Sequence, residues 1–365
     1  MSHSAERTRR LRQSRGVVLW SLLLFLAGQV ALAVSIESWL PVLRDVDYAM
    51  RVGRLRERLV RAPTKSLSVV MIGSSRTMFG LNGQLIEKQL GEHLSDPPIV
   101  FNLGFPGAGP LRHWLHLNRL LHDGIRPDVL LIEVMPFLLH GDTPRPYDFF
   151  QLSAEKLRLD DLTLLQVEGL NPDKLLENWW RGWPFPCYEH RFTIVSLTVP
   201  TLLPIGLRQD YCKGIDDSGW VPLNPGYSKP EARRRSLEQS SNDFGPALQH
   251  YHLSPACMHF MEEILGICRR EGIRPALVLM PEGPILRGLY SPSTWHAVES
   301  YLRDFSRRHG VPVIDTRTLL DEDAFSDSHH MTEAGAKRFS ERMISEILPL
   351  IRGTAVGGEI RPNGS

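Results

Sequence analysis

Two large classes of function find little support in this chain. Only four cysteines occur in 365 residues, Cys187, Cys212, Cys257 and Cys268, and no two are spaced C-x-x-C. That leaves neither a zinc ribbon nor a dithiol redox motif, although Cys187 and Cys212 could pair in an oxidising compartment. A surplus of charge is also missing. Lys+Arg number 42 against 41 Asp+Glu, giving a net charge of +1 and a pI near 7.8. A protein that displaces counterions from DNA or RNA needs a basic excess, so nucleic acid is not an expected partner. No G-x-G-x-x-G fingerprint appears in the glycine-bearing turns, which argues against a dinucleotide. His113, His116 and His122 share one helical stretch but have no H-E-x-x-H spacing and no carboxylate partner, so no metal is expected and no cofactor is implied. What remains is ample core material, with 42% hydrophobic residues and a mean hydropathy of -0.17, too polar for a multi-span membrane protein.

The near-neutral total hides an uneven start. Residues 1–15 hold Arg7, Arg9, Arg10, Arg12 and Arg15 against Glu6 alone, and the chain then runs from Val17 to Ile36 without a charge. Twenty such residues cross a bilayer, and basic residues before the span predict a cytoplasmic N-terminus and an extracytoplasmic remainder. Ala31-Leu32-Ala33 also fits a signal-peptidase site, so a cleaved signal peptide is the alternative. The apolar run continues past that site and fills a whole span, which favours an uncleaved anchor at 16–36 behind a basic tail at 1–15. A polar, arginine-rich helical pattern at 37–64 follows as a stalk.

Beyond the stalk, short apolar runs near 67–72, 99–103, 129–134, 276–280 and 311–314 alternate with helical patterns near 82–92, 110–123, 255–271, 292–309 and 332–350. Strands that are apolar on both faces and separated by helices predict an α/β fold: a three-layer, doubly wound, parallel five-stranded sheet. Residues 65–140 and 253–352 supply it. Between them, residues 141–252 carry eleven of the 27 prolines together with Trp179, Trp180, Trp183 and Trp220, which predicts a folded cap inserted beside the sheet. The tryptophans would pack within that cap or stack on sugar rings, packing being the commoner fate. Residues 353–365 are expected to form a flexible tail.

In such a sheet, reactive groups collect in the loops at the carboxyl ends of the strands. The first of those loops reads Gly73-Ser74-Ser75-Arg76-Thr77, a small turn at a helix start that suits a serine nucleophile or a helix cap. The second reads Asn102-Leu103-Gly104-Phe105-Pro106-Gly107, exposing backbone. After the fifth strand comes Asp327-Ser328-His329-His330, where an acid three residues before a histidine can orient its imidazole to accept a proton from a hydroxyl. Glu282 and Arg287, after the fourth strand, face the same edge and are candidate pocket residues, as are Asn102 and Arg76.

These blocks, in this order, resemble the SGNH (GDSL-like) hydrolase superfamily over residues 65–140 and 253–350. The resemblance implies Ser75 as nucleophile, His330 as base and Asp327 as its orienting acid, with backbone N–H groups of Ser75 and Gly107 as the oxyanion hole. The third block departs from the pattern: Glu133-Val134-Met135-Pro136-Phe137 offers no asparagine, so a side-chain oxyanion donor is missing. With the GSSR turn and the N-terminal anchor, the chain looks most like the membrane-tethered branch associated with acetylation of exported polysaccharides, including alginate. That implies a serine esterase or O-acyltransferase acting on acyl esters of cell-surface glycans, with a membrane O-acyltransferase as a partner. The alternative is a catalytically silent, SGNH-fold glycan-binding or scaffold protein.

Overall fold

The computed structural model describes residues 2–63, 66–204, 207–209, 214–224, 226, 229–353 and 360–361, with side chains from residue 14 to residue 353. The chain starts with helix α1 (Ser2–Ser38), then a short α2 (Pro41–Arg44) and α3 (Val46–Arg61). Within α1, the 25 residues Ser14–Ser38, with a mean hydropathy of 2.3, are long and apolar enough to span a membrane. The chain divides into two compact units, residues 1–50 with 152–212, and residues 51–151 with 213–365.

The second unit is built on a parallel sheet of β1 (Ser68–Gly73), β2 (Ile99–Gly104), β3 (Val129–Val134), β4 (Arg274–Leu279) and β5 (Val313–Asp315), in the order β2-β1-β3-β4-β5. Every residue of β1, β2 and β3 is buried, as apolar runs without alternation demand when both faces of a sheet are covered. Helices α4 (Ser75–Gly80), α5 (Gly83–Leu90) and α6 (Pro110–His122) accompany the first strands. The other unit holds α7 (Leu159–Val167), α8 (Asp173–Gly182), α9 (Pro186–Glu189) and α10 (Arg191–Thr198). The chain then returns to the sheet unit through α11 (Pro230–Gln249), α12 (Pro255–Glu271), α13 (Pro284–Gly288), α14 (Pro292–His309) and α15 (Glu333–Arg352). Local sequence sets these ends: Ser254, Ser291 and Thr332 cap α12, α14 and α15 by accepting a backbone N–H, and left-handed Gly272, Gly310 and Gly353 close them.

The order β2-β1-β3 reverses the direction of winding at β1, which opens a crevice at the carboxyl ends of β1 and β3. Register brings the loops after these strands level, with Gly73 opposite Gly104 and Val134 opposite Leu279.

Several boundaries differ from the sequence expectation. From Arg51 onward α3 is not a free stalk: Arg51 is fully buried in the sheet unit, donating to the carbonyl oxygens of Asn102 and Gly219. The cap expected at 141–252 is divided, because residues 213–252 group with the sheet, where α11 brings Ser236 and Phe244 beside the loop that carries Asp327. Part of the expected flexible tail is paired: Ile360–Arg361 forms β6, parallel to β5. The proposed Cys187–Cys212 pairing lies outside the described residues, since Cys212 is not among them.

Candidate active site

Ser75 opens α4 and is half-buried at the crevice. Its Oγ lies 2.8 Å from Nε2 of His330, whose Nδ1 lies 2.7 Å from Oδ2 of Asp327. The ionised Asp327 accepts, so the imidazole proton sits on Nδ1 and leaves Nε2 to accept from the Ser75 hydroxyl. The D-x-x-H spacing works because one carboxylate serves two tasks. Oδ1 accepts the backbone N–H groups of His329 at 2.8 Å and His330 at 2.6 Å, curling the loop, while Oδ2 faces the ring. His329 points elsewhere, with its Nδ1 3.0 Å from Ser328 Oγ, so the second histidine of the pair faces Ser75.

Burial works against charge on Asp327, yet the hydrogen bonds it accepts from the His330 ring and backbone hold its carboxyl below the usual range. His329 is pushed well below its ordinary value by burial first and by the neighbouring His330 second, so it stays neutral. Around the two rings stand aromatic side chains: Phe79 meets His330 edge-on at 5.4 Å, Phe244 meets His329 at 5.1 Å, and Phe137 packs on Phe244 at 4.6 Å. These rings form a half-buried apolar wall beside the two histidines.

Beneath Ser75 lies a buried polar floor. The Glu133 carboxyl accepts from Ser74 N–H at 2.7 Å, Ser74 Oγ at 2.8 Å and Thr77 Oγ1 at 2.7 Å. Gly73 is required here for space, because a Cβ would run into Thr77 and Glu133. Arg76 is buried between Glu133 and Glu282, at 3.9 Å and 3.8 Å, and donates to the carbonyl oxygens of Met280 and Pro281. Glu282 is pushed up by burial, against the pull of Arg76 and Arg317, and accepts a hydrogen bond from Tyr290 at 2.8 Å.

Three of the expected pocket residues are therefore not at a surface. Arg76 and Glu282 are sealed under the turn, and Asn102 is fully buried, donating to the carbonyl oxygens of Thr77 and Leu81 while accepting from Gly104 N–H. Asn102 thus ties down the end of α4, its amide bonding carbonyl oxygens as the chain leaves the helix. Arg287 is half-buried and holds two backbone carbonyls, those of Glu282 and Arg317.

The Ser75 and Gly107 N–H groups have no acceptor among the described residues. Gly107 is left-handed at φ 66°, and a Cβ there would collide with Gln151 Oε1. Its loop is pinned by Asp148, which is buried and accepts the N–H groups of Gly109 at 3.0 Å and Arg112 at 2.8 Å at the start of α6. Burial pushes the Asp148 carboxyl up to about 6, against those bonds and Arg112. A folded-state value above the unfolded 3.8 makes the folded protein gain stability as pH falls from above 6 towards 4. Asp148→Asn keeps an accepting oxygen for the cap, so it is expected to flatten that part of the Tm against pH profile. A slope equal to wild type would assign it to another group.

Sequence reasoning did not single out Glu133, Asp148 or Phe244. Glu133 had a signal, being the one charge in the buried strand VLLIEV; Asp148 and Phe244 had none, since only the fold carries them to the site. A cavity of about 670 Å³ belongs to the other unit, and no triad residue lines it. No curated protein matches the chain. Residues 247–351, which run from the end of α11 to α15 and include Asp327 and His330 but not Ser75, match a sequence family of uncharacterised function.

Proposed function

We propose that the protein is a membrane-anchored serine ester hydrolase or O-acyltransferase of SGNH type, facing away from the cytoplasm. The observation that carries this reading is the unbroken relay from Ser75 Oγ through both His330 nitrogens to Asp327, at 2.8 Å and 2.7 Å. Ser75 Oγ attacks the acyl carbonyl carbon and passes its proton to His330 Nε2 while Asp327 stabilises the imidazolium. The carbonyl oxygen, now an oxyanion, accepts from the N–H groups of Ser75 and Gly107. The ester C–O bond breaks as His330 protonates the leaving alkoxide, and water or an acceptor hydroxyl then attacks the acyl-serine in the reverse sense. The missing asparagine after β3 would cost about 2.7–4 kcal/mol of transition-state stabilisation, so remote contacts to a bulky acceptor are needed to offset it. That requirement and the N-terminal span support an acyl ester of an exported or surface glycan as substrate, with a membrane O-acyltransferase as partner.

A fluorophosphonate probe tests the triad on the full-length protein in detergent. Wild type is expected to be labelled and Ser75→Ala to remain unlabelled, because only an activated hydroxyl reacts. Equal labelling of both would sink the assignment of Ser75. A wild type that resists the probe yet binds acetylated oligosaccharide would instead be the silent binding protein.

A further inference from the structure

Along α1, residues 17–28 are exposed without interruption, whereas Gln29, Ala33 and Ile36 are buried. Spacings of four and three put these three on one stripe of the helix. What covers them is the α8–α9 region: Ala33 and Ile36 share a small cavity with Trp179, Gly182 and Pro186, and the Cys187 N–H lies 3.5 Å from Gln29 Oε1. Gln29 is seven residues before Ile36, which at a rise of 1.5 Å places it about 10 Å inside the end of the apolar run. A hydrocarbon core of about 30 Å spanned by that run therefore reaches the level of α9.

The side chains that flank α9 suit that depth. Phe185 is 51% exposed and Tyr188 67% exposed, a costly arrangement in water and a favourable one in lipid. α10 packs on α9 and on α2, just past the span, and the same unit exposes Phe192, Val199 and Leu202. The Arg191 guanidinium stacks over Tyr188 at 3.9 Å and Phe192 at 4.3 Å. Exposed aromatic rings that carry an arginine charge on their faces are a composition suited to a membrane–water boundary. The junction is fixed: Arg44 pairs with Glu37 at the end of α1 and donates to the Leu157 carbonyl at 3.0 Å.

We infer that α9, α10 and their exposed aromatic residues lie in the lipid leaflet at which the span ends, so that the bilayer is gripped by an interfacial surface as well as by one helix. Lipid is the occupant because this surface continues the exposed flank of the span itself, and covering Gln29 removes the one central amide that hydrocarbon would penalise. Trp180, exposed on α8, then belongs to the boundary rather than to a sugar platform. The inference rests on the reading of α1 as an uncleaved anchor.

Site-directed spin labels on the full-length protein in phosphatidylcholine–phosphatidylglycerol vesicles separate the two ideas. In a background carrying Cys187→Ser and Cys212→Ser, single cysteines replace Phe185, Tyr188, Leu24 as the span reference and the exposed Lys337 as the water reference. Labels at 185 and 188 are expected to shift towards oxygen and away from a water-soluble nickel complex, matching position 24 and differing from 337. If 185 and 188 behave like 337 while 24 is lipid-exposed, the interfacial surface is overturned and the anchor stands. Labels at 185 and 188 that are immobile and reached by neither relaxant would mean a protein partner covers them, which also overturns it. A water-exposed label at 24 would overturn the anchor, and the inference with it.

Discussion

Replacing Asp327 by Asn is expected to lower kcat by about 10⁴-fold while KM for an activated ester stays nearly constant. Asn can keep one oxygen for the His329 and His330 N–H groups, so the loop should survive. The other position becomes an NH₂ group, which cannot accept the Nδ1–H of His330. The ring is then driven to the Nε2–H tautomer, which donates towards Ser75 Oγ instead of taking its proton. The measurement is steady-state kinetics beside a melting curve. Turnover within about tenfold of wild type, with the fold intact, would show that the relay does not operate, since a working triad loses far more.

The second large effect is expected at Glu133, a residue that touches neither the acyl group nor the base. Its carboxyl accepts three hydrogen bonds from the turn that aims Ser75 and faces the buried Arg76. Glu133→Gln replaces one accepting oxygen by a donor, so at least one of the bonds from Ser74 or Thr77 is lost. At about 1–3 kcal/mol for a buried group left unpaired, the turn should loosen and kcat fall by roughly 10- to 100-fold. Glu133→Ala also strips Arg76 of a partner and should destabilise the fold by about 3–5 kcal/mol. The discriminating readout is the phosphonate labelling rate of folded Glu133→Gln: a rate equal to wild type would confine Glu133 to stability and remove it from positioning.

The two kinds of residue at this site differ in how legible they are. Ser75 and the Asp327–His330 pair could be read because their chemistry depends on local spacing, a turn after a strand and an acid three residues before a base. Glu133 belongs to a floor assembled from β1, β3 and the loop after β4, and no short window of sequence contains it. Asn102 was misread for the converse reason. A polar residue near a strand end suggests a pocket, but here it is fully buried and holds the carbonyl oxygens at the end of a six-residue helix. The strands were recognisable because parallel, fully covered strands are uniformly apolar. β4 starts earlier than its apolar run, at Arg274, because that side chain leaves the sheet to hold the last carbonyls of α15 at Leu350 and Ile351. The division of residues 141–252 was hidden because proline and tryptophan density reports a folded insertion without reporting which neighbours it joins.

The connection from β3 to β4 is by far the longest in the sheet, yet the two strands it joins are direct neighbours, paired from Val129 with Arg274 to Val134 with Leu279. Everything from residue 135 to residue 273 is therefore a detour that begins and ends at adjacent points. Ser75 comes from the turn after β1 and the Asp327–His330 pair from the loop after β5, outside that detour. Within that detour, residues 213–252 are bonded to both loops: Trp220 Nε1 and the Val221 N–H donate to the carbonyl oxygens of Phe79 and Met78 on α4, Arg233 pairs with Glu322, and Ser236 and Phe244 meet Asp327 and His329, while Asp148 holds the Gly107 loop. Residues 152–212, which form part of the other compact unit, could therefore lengthen or shorten while Ser75, Asp327 and His330 keep their register. In engineering terms the sheet is a fixed chassis, and residues 152–212 are the exchangeable fitting.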